Sequence, residues 1–111
     1  MIYLDNAATT YFKPTSVINA VGTALKYLSA NPGRSSHSLA VKAGMMIEDT
    51  RESAAKMFGT TPDKVVFTLN CTDALNTAIF GTAKKGGHIV TTVFEHNSVL
   101  RPLMRLKELG I

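Results

Sequence analysis

Apolar positions along this chain follow two alternating rhythms, one helical and one strand-like. Val17, Ile18, Val21, Leu25 and Leu28 recur at helical spacing behind Pro14, a residue that a first helical turn tolerates. Asn31-Pro32-Gly33 should end that helix. A longer helix is predicted from about Ser38 to Phe58. Its apolar stripe is Leu39, Ala43, Met46, Ile47, Ala54 and Phe58, and its wet side is Glu48, Asp49, Arg51, Glu52 and Lys56. Gly59 closes it and Thr61-Pro62-Asp63 turns the chain. Val65 to Leu69 is β-branched and aromatic, and reads as a strand. Thr72 to about Thr82 reads as a helix, Gly86-Gly87 as a turn, and Ile89 to Phe94 as another strand. A last helix begins near Val99 and carries Leu100, Leu103, Leu106 and Leu109. Met1 to Leu4 reads as a short strand before the small-residue turn Asn6-Ala7-Ala8-Thr9-Thr10.

Helices of ten or so residues between apolar strands are what a parallel βαβ crossover requires. The predicted fold class is therefore α/β with parallel strands, incomplete at this length. Residues 1–36 form a strand, helix and loop segment, and 37–111 a partial α/β domain, within one compact unit. In such sheets ligands gather beyond the carboxyl ends of the strands. The loops 69–73 and 95–98 both lie at such ends.

Composition narrows the picture. The 111 residues are 45% hydrophobic and 18% charged, which fits a globular chain and argues against disorder. So low a charged fraction implies apolar surface meant to be covered. The net charge of +4 comes from scattered residues, with only Lys84-Lys85 adjacent. No arginine cluster interleaves with aromatics, so a nucleic-acid partner is not expected. A single cysteine excludes an internal disulfide and points to a reducing compartment. No leader pattern opens the chain and no run approaches the ~18 apolar residues of a membrane span, so a cytoplasmic protein with no membrane partner is expected.

Candidate chemistry concentrates in the two loops. Asn70, Cys71 and Thr72 follow a strand and open a helix, where free N–H groups and the positive helix end favour an anion. The Thr72 hydroxyl can cap the helix or donate to a phosphate oxygen. One charge at an exposed helix end gains only about 0.3–1 kcal/mol, so several donors are needed for real affinity. Asp73 should point away from such a ligand. Cys71 fits either a small buried residue or a thiol activated by the helix end. His96 could stack on a flat ligand, shuttle a proton, or satisfy a backbone group. His37 sits in a turn, and His88 has nothing nearby to pair with. No nucleotide-binding glycine loop, serine elbow or zinc spacing is present, so no metal is expected.

Four runs then resemble one family, in its order along nearly the whole chain. They are Tyr3-Leu-Asp-Asn-Ala-Ala-Thr-Thr10, Asn31-Pro-Gly-Arg-Ser-Ser-His37, Val66-Phe-Thr-Leu-Asn-Cys-Thr-Asp-Ala-Leu-Asn76 and Glu95-His-Asn-Ser-Val-Leu-Arg-Pro-Leu103. Together they resemble the N-terminal part of cysteine desulfurases and selenocysteine lyases, pyridoxal-phosphate enzymes of the class V aminotransferase family with fold type I. The resemblance implies that Cys71 and Thr72 hold the cofactor phosphate, and that His96 stacks on the pyridine ring and moves protons. It places the turn of Asn6, Ala8 and Thr9 beside the substrate, cysteine or selenocysteine. Arg34 and His37 would lie near the active site at a homodimer interface, with Arg34 meeting an anionic group. It implies sulfur transfer to a cysteine and onward to an acceptor protein, leaving alanine.

The chain departs from the family at the phosphate loop, which reads Leu69-Asn70-Cys71-Thr72-Asp73 where a glycine-containing loop with glutamate is common. Asn70 tolerates a left-handed backbone at modest cost. Cys71 does not match the sulfur-accepting cysteine. The family's cofactor-linked lysine, ring-nitrogen aspartate, carboxylate-binding arginine and persulfide cysteine are expected beyond position 111, and none of the lysines from Lys13 to Lys107 matches. The 111 residues alone are expected to be inactive. Two rival readings stand beside this one: another class V reaction such as transamination, and a non-catalytic, self-associating α/β module.

Overall fold

The computed structural model describes residues 2–33 and 36–111; the expectations placed on Met1 and Arg34 fall outside them. Four helices are present among these residues: α1 (Thr15–Tyr27), α2 (Ser38–Met57), α3 (Cys71–Thr82) and α4 (Asn97–Glu108), with a 3-10 turn at Pro62–Lys64. The chain divides into two compact units, Met1–Val65 and Val66–Ile111.

In the first unit, Pro14 is the residue that precedes α1, and Ser29 closes its far end. The Ser29 hydroxyl donates toward the Leu25 carbonyl at 2.6 Å, an acceptor the helix end leaves open, and lies 3.1 Å from the Ala24 carbonyl, which also accepts the Leu28 N–H. The expected stripe of α1 has helical spacing, but Val17, Ile18, Val21 and Leu25 are all exposed. His37 precedes α2, its Nδ1 accepting from the Ala40 N–H at 3.2 Å. The helix ends at Gly59, whose φ of 63° suits a residue without Cβ. There Gly59 N–H meets the Lys56 carbonyl and Thr60 N–H the Ala55 carbonyl, at 3.4 and 2.9 Å.

The buried face of α2 is not quite the expected one. Ala40, Ala43 and Ala55 are buried, while Leu39 and Phe58 are exposed. Small alanines allow the 3-10 turn to approach, and Arg51, expected on the wet side, faces inward with it. Its Nε donates to the Val65 carbonyl at 3.1 Å and its Nη1 pairs with Glu48.

In the second unit α3 and α4 pack together. Ser98, Pro102 and Leu106 of α4 are buried at i, i+4 and i+8, one stripe of the helix. The segment 89–92 borders α3 and α4 across an apolar trough with Leu75, Ile79, Val99 and Leu103.

No strand forms among the described residues, so the expected strands at 2–4, Val65–Leu69 and Ile89–Phe94 are not realised. A helix satisfies its backbone within one segment, whereas a strand exists only beside a hydrogen-bonded neighbour. Surface area shows the same deficit of neighbours. The chain exposes 9357 Å², whereas a compact protein of 12.0 kDa exposes about 6,000 Å². Two separate globules of the units' sizes would expose only about 7,000 Å². Val66, Leu69, Val90, Val93 and Phe94 are each more than three-quarters exposed.

Candidate functional site

The loop before α3 closes on itself through two reciprocal bonds. Asn70 Oδ1 accepts from the Asp73 N–H at 2.9 Å, and Asp73 Oδ2 accepts from the Leu69 N–H at 3.2 Å. This resembles a capping box with Asn70 as the cap, except that the Asp73 carboxylate reaches the N–H of Leu69, one residue before the cap. Thr72, the expected alternative, stands one place inside the helix. Among the described residues its hydroxyl and N–H engage no partner, nor does the Cys71 N–H. The Asp73 carboxylate is turned back along the chain and does not line the hollow described next. Cys71 opens α3 with an exposed thiol.

His96 caps α4, which begins at Asn97, two residues earlier than the apolar pattern suggested. The imidazole Nδ1 accepts from the Ser98 N–H at 3.1 Å and faces the Ser98 hydroxyl at 2.9 Å. An Nδ1 that accepts carries no proton, so the neutral ring holds its hydrogen on Nε2. Of the three roles considered for His96, satisfying the backbone is thus realised at Nδ1, and Nε2 stays available for another.

Between the two helix starts lies a hollow of about 250 Å³ lined by Thr72, Asn76, His96, Asn97, Ser98, Arg101 and Pro102. It brings Thr72 and His96 together. Five of its residues, Asn76, Asn97, Ser98, Arg101 and Pro102, were not singled out individually from the sequence. Asn76 stands four residues after Thr72, which puts both on one helix face, and this spacing could have flagged it. Arg101 adds a cation at the hollow's edge.

The other sequence candidates lie in the first unit. Asn6, Ala8 and Thr9 form a turn in which Asp5 C=O accepts from Ala8 and Thr9 N–H at 3.1 and 3.3 Å. Asn6 Oδ1 accepts from Tyr11 N–H at 3.4 Å, and Tyr3 OH donates to the Thr9 carbonyl at 3.0 Å. Tyr3 and Tyr11 stack obliquely, their centroids 5.3 Å apart, and fasten the turn. His37 has its Nδ1 engaged in the α2 cap. Among the described residues no helix is long and apolar enough to cross a membrane.

Two helix starts thus face one hollow, lined by Thr72 of one and His96 of the other. The family model for class-V aminotransferases matches residues 2–111, and the chain belongs to that family. Over 111 residues it is 35% identical to a probable cysteine desulfurase of Methanothermobacter thermautotrophicus, covering 99% of this chain and 28% of the relative. A probable cysteine desulfurase of Aeropyrum pernix is 37% identical over 114 residues, with the same coverage. The cysteine desulfurase IscS of Dictyoglomus turgidum is 39% identical over 113 residues, covering 98% of this chain and 28% of the relative. The chain thus spans little more than a quarter of the length of these relatives.

Proposed function

We propose that these residues form the phosphate-anchoring and ring-covering part of a pyridoxal-phosphate site in a cysteine desulfurase. The observation that carries this reading is the division of labour at α3. Asn70 takes the cap, and Thr72, whose hydroxyl has no partner among the described residues, lines the hollow together with His96. Thr72 Oγ1 and the N–H groups of Cys71 and Thr72 would hold phosphate oxygens, assisted by the helix dipole. His96 would cover the ring, with Nε2 as the atom that exchanges a proton. The bound cofactor supplies an electron sink for bond breaking in an amino-acid substrate.

In the complete enzyme the substrate would be cysteine or selenocysteine, the product alanine, and the sulfur would pass to a thiol and then to an acceptor protein. The turn of Asn6, Ala8 and Thr9 would sit on the substrate side, with Arg34 and His37 near a dimer interface. The segments 65–69 and 89–94 would become parallel strands once flanked by further chain, which accords with their exposed apolar side chains. A single cysteine accords with a cytoplasmic setting. Among the described residues no lysine lines the hollow, and the 111 residues alone should release no alanine from cysteine.

Pyridoxine phosphate and pyridoxine, which lack the aldehyde that would couple to surface lysines, test this reading by calorimetric titration. The phosphate ester should bind at least about tenfold tighter, a difference that several charge-assisted hydrogen bonds readily supply. Equal affinities would remove the reading.

The excess exposed surface favours a second reading, a non-catalytic module that associates with itself. Concentration-dependent sedimentation without any pyridoxine phosphate binding would select it.

A further inference from the structure

Pro102 lies inside α4, and its ring nitrogen bears no hydrogen. The carbonyl of Ser98, four residues earlier, therefore receives no N–H from its own helix. Ser98 is only 8% exposed, where an unpaired carbonyl is costly. Asn76 of α3 supplies the missing donor. Its Nδ2 lies 3.4 Å from the Ser98 carbonyl and 2.8 Å from the Thr72 carbonyl, so one amide group with two protons serves both helix starts. Ser98 in turn directs its N–H at His96 Nδ1. A continuous hydrogen-bonded path thus runs from Thr72 through Asn76 and Ser98 to His96.

We propose that Asn76 is a positioning residue: it replaces the donor that Pro102 lacks and so fixes His96 relative to Thr72. Its functional meaning rests on Thr72 and His96 serving one ligand, but its physical content does not. An aspartate in its place has no proton to give to either carbonyl, and an alanine leaves the Ser98 carbonyl unpaired. A backbone N–H at position 102 would make the Asn76 donor redundant, which links the two residues in a way that simple packing does not.

The test is a double-mutant cycle in the 111-residue chain with Asn76→Ala, Pro102→Ala and both together. The readouts are nitrogen-15 shifts of the His96 ring, which report its tautomer, and hydrogen exchange at Val99 and Leu100. Asn76→Ala should mix the ring tautomers and speed exchange about tenfold, the cost of one unpaired buried carbonyl. With Pro102→Ala already present, the same change should alter exchange by no more than about twofold. An unchanged ring signature in Asn76→Ala, or an equal effect in both backgrounds, overturns the proposal. Should Asn76→Ala lose its helical circular dichroism, the unmodified chain decides. Nuclear Overhauser contacts from the Asn76 amide protons to Ser98 and Val99 are expected, and their absence overturns the proposal. If pyridoxine phosphate fails to bind while these contacts and the ring signature persist, only the cofactor reading falls.

Discussion

Replacing Asn70 by alanine should loosen the first turn of α3 while leaving the ligand donors of Thr72 in place. The bond lost runs from the Asp73 N–H to Asn70 Oδ1 at 2.9 Å, close to the ideal length. Loss of such a cap costs about 1 kcal/mol. No residue of α3 is buried, so little packing compensates within the helix, and the full cost should appear locally. One kcal/mol corresponds to roughly a fivefold rise in the opening equilibrium. Hydrogen exchange at Asp73, Ala74 and Leu75, followed by NMR at fixed pH, reads that factor directly. Thr72→Val is the matched comparison, since it keeps shape and has similar helix propensity. It should leave exchange within about twofold, as surface changes away from a cap do. The reasoning fails if Thr72→Val accelerates exchange as much as Asn70→Ala does. Thr72 would then be the effective cap and its hydroxyl would not be open to a ligand.

Leu106→Ala removes the one large apolar side chain buried in the second unit, 3% exposed, and should cost about 2 kcal/mol or more in a urea titration. Arg51→Met should cost about 1 kcal/mol by losing the bond to the half-buried Val65 carbonyl, whereas Arg105→Met breaks only an exposed pair with Glu108 and should shift the midpoint little. A Cβ at Gly87 would meet the Lys84 carbonyl oxygen at 2.8 Å, so Gly87→Ala should destabilise; Gly81→Ala meets nothing within 4 Å inside α3 and should stabilise by about 0.5–1 kcal/mol. Thermal scans of both variants check the opposite signs. The exposed Val66, Leu69, Val93 and Phe94 should make the chain bind hydrophobic dyes and sediment faster as concentration rises.

The helices were legible because their signals are local. Apolar spacing located α1, α2 and α4, α3 was read between a strand-like run and the Gly86-Gly87 turn, and Gly59 marked the end of α2 through a backbone angle that favours glycine. Their starts were less legible. Asn70 and Thr72 are both good caps two residues apart, and only geometry shows Asp73 bonded to the first. His96 extended α4 upstream of its apolar pattern because an imidazole can cap, a role the periodicity does not encode. Arg51 looked solvated by charge, yet its guanidinium reaches the Val65 carbonyl. The segments 65–69 and 89–94 have strand composition but need hydrogen-bonded neighbours, which no local pattern supplies. The pairing of Thr72 with His96 was legible from motifs. The Asn76 bridge was not, because it depends on a hydrogen that Pro102 lacks.

The central claim is that the start of α3 receives a cofactor phosphate beside His96. Amide NMR spectra of the unmodified chain during titration with pyridoxine phosphate test it most directly. The account predicts saturable shifts at the N–H groups of Cys71 and Thr72 and in the His96 ring, absent when pyridoxine alone is added. Shifts confined to other residues, or equal shifts with pyridoxine, would contradict it.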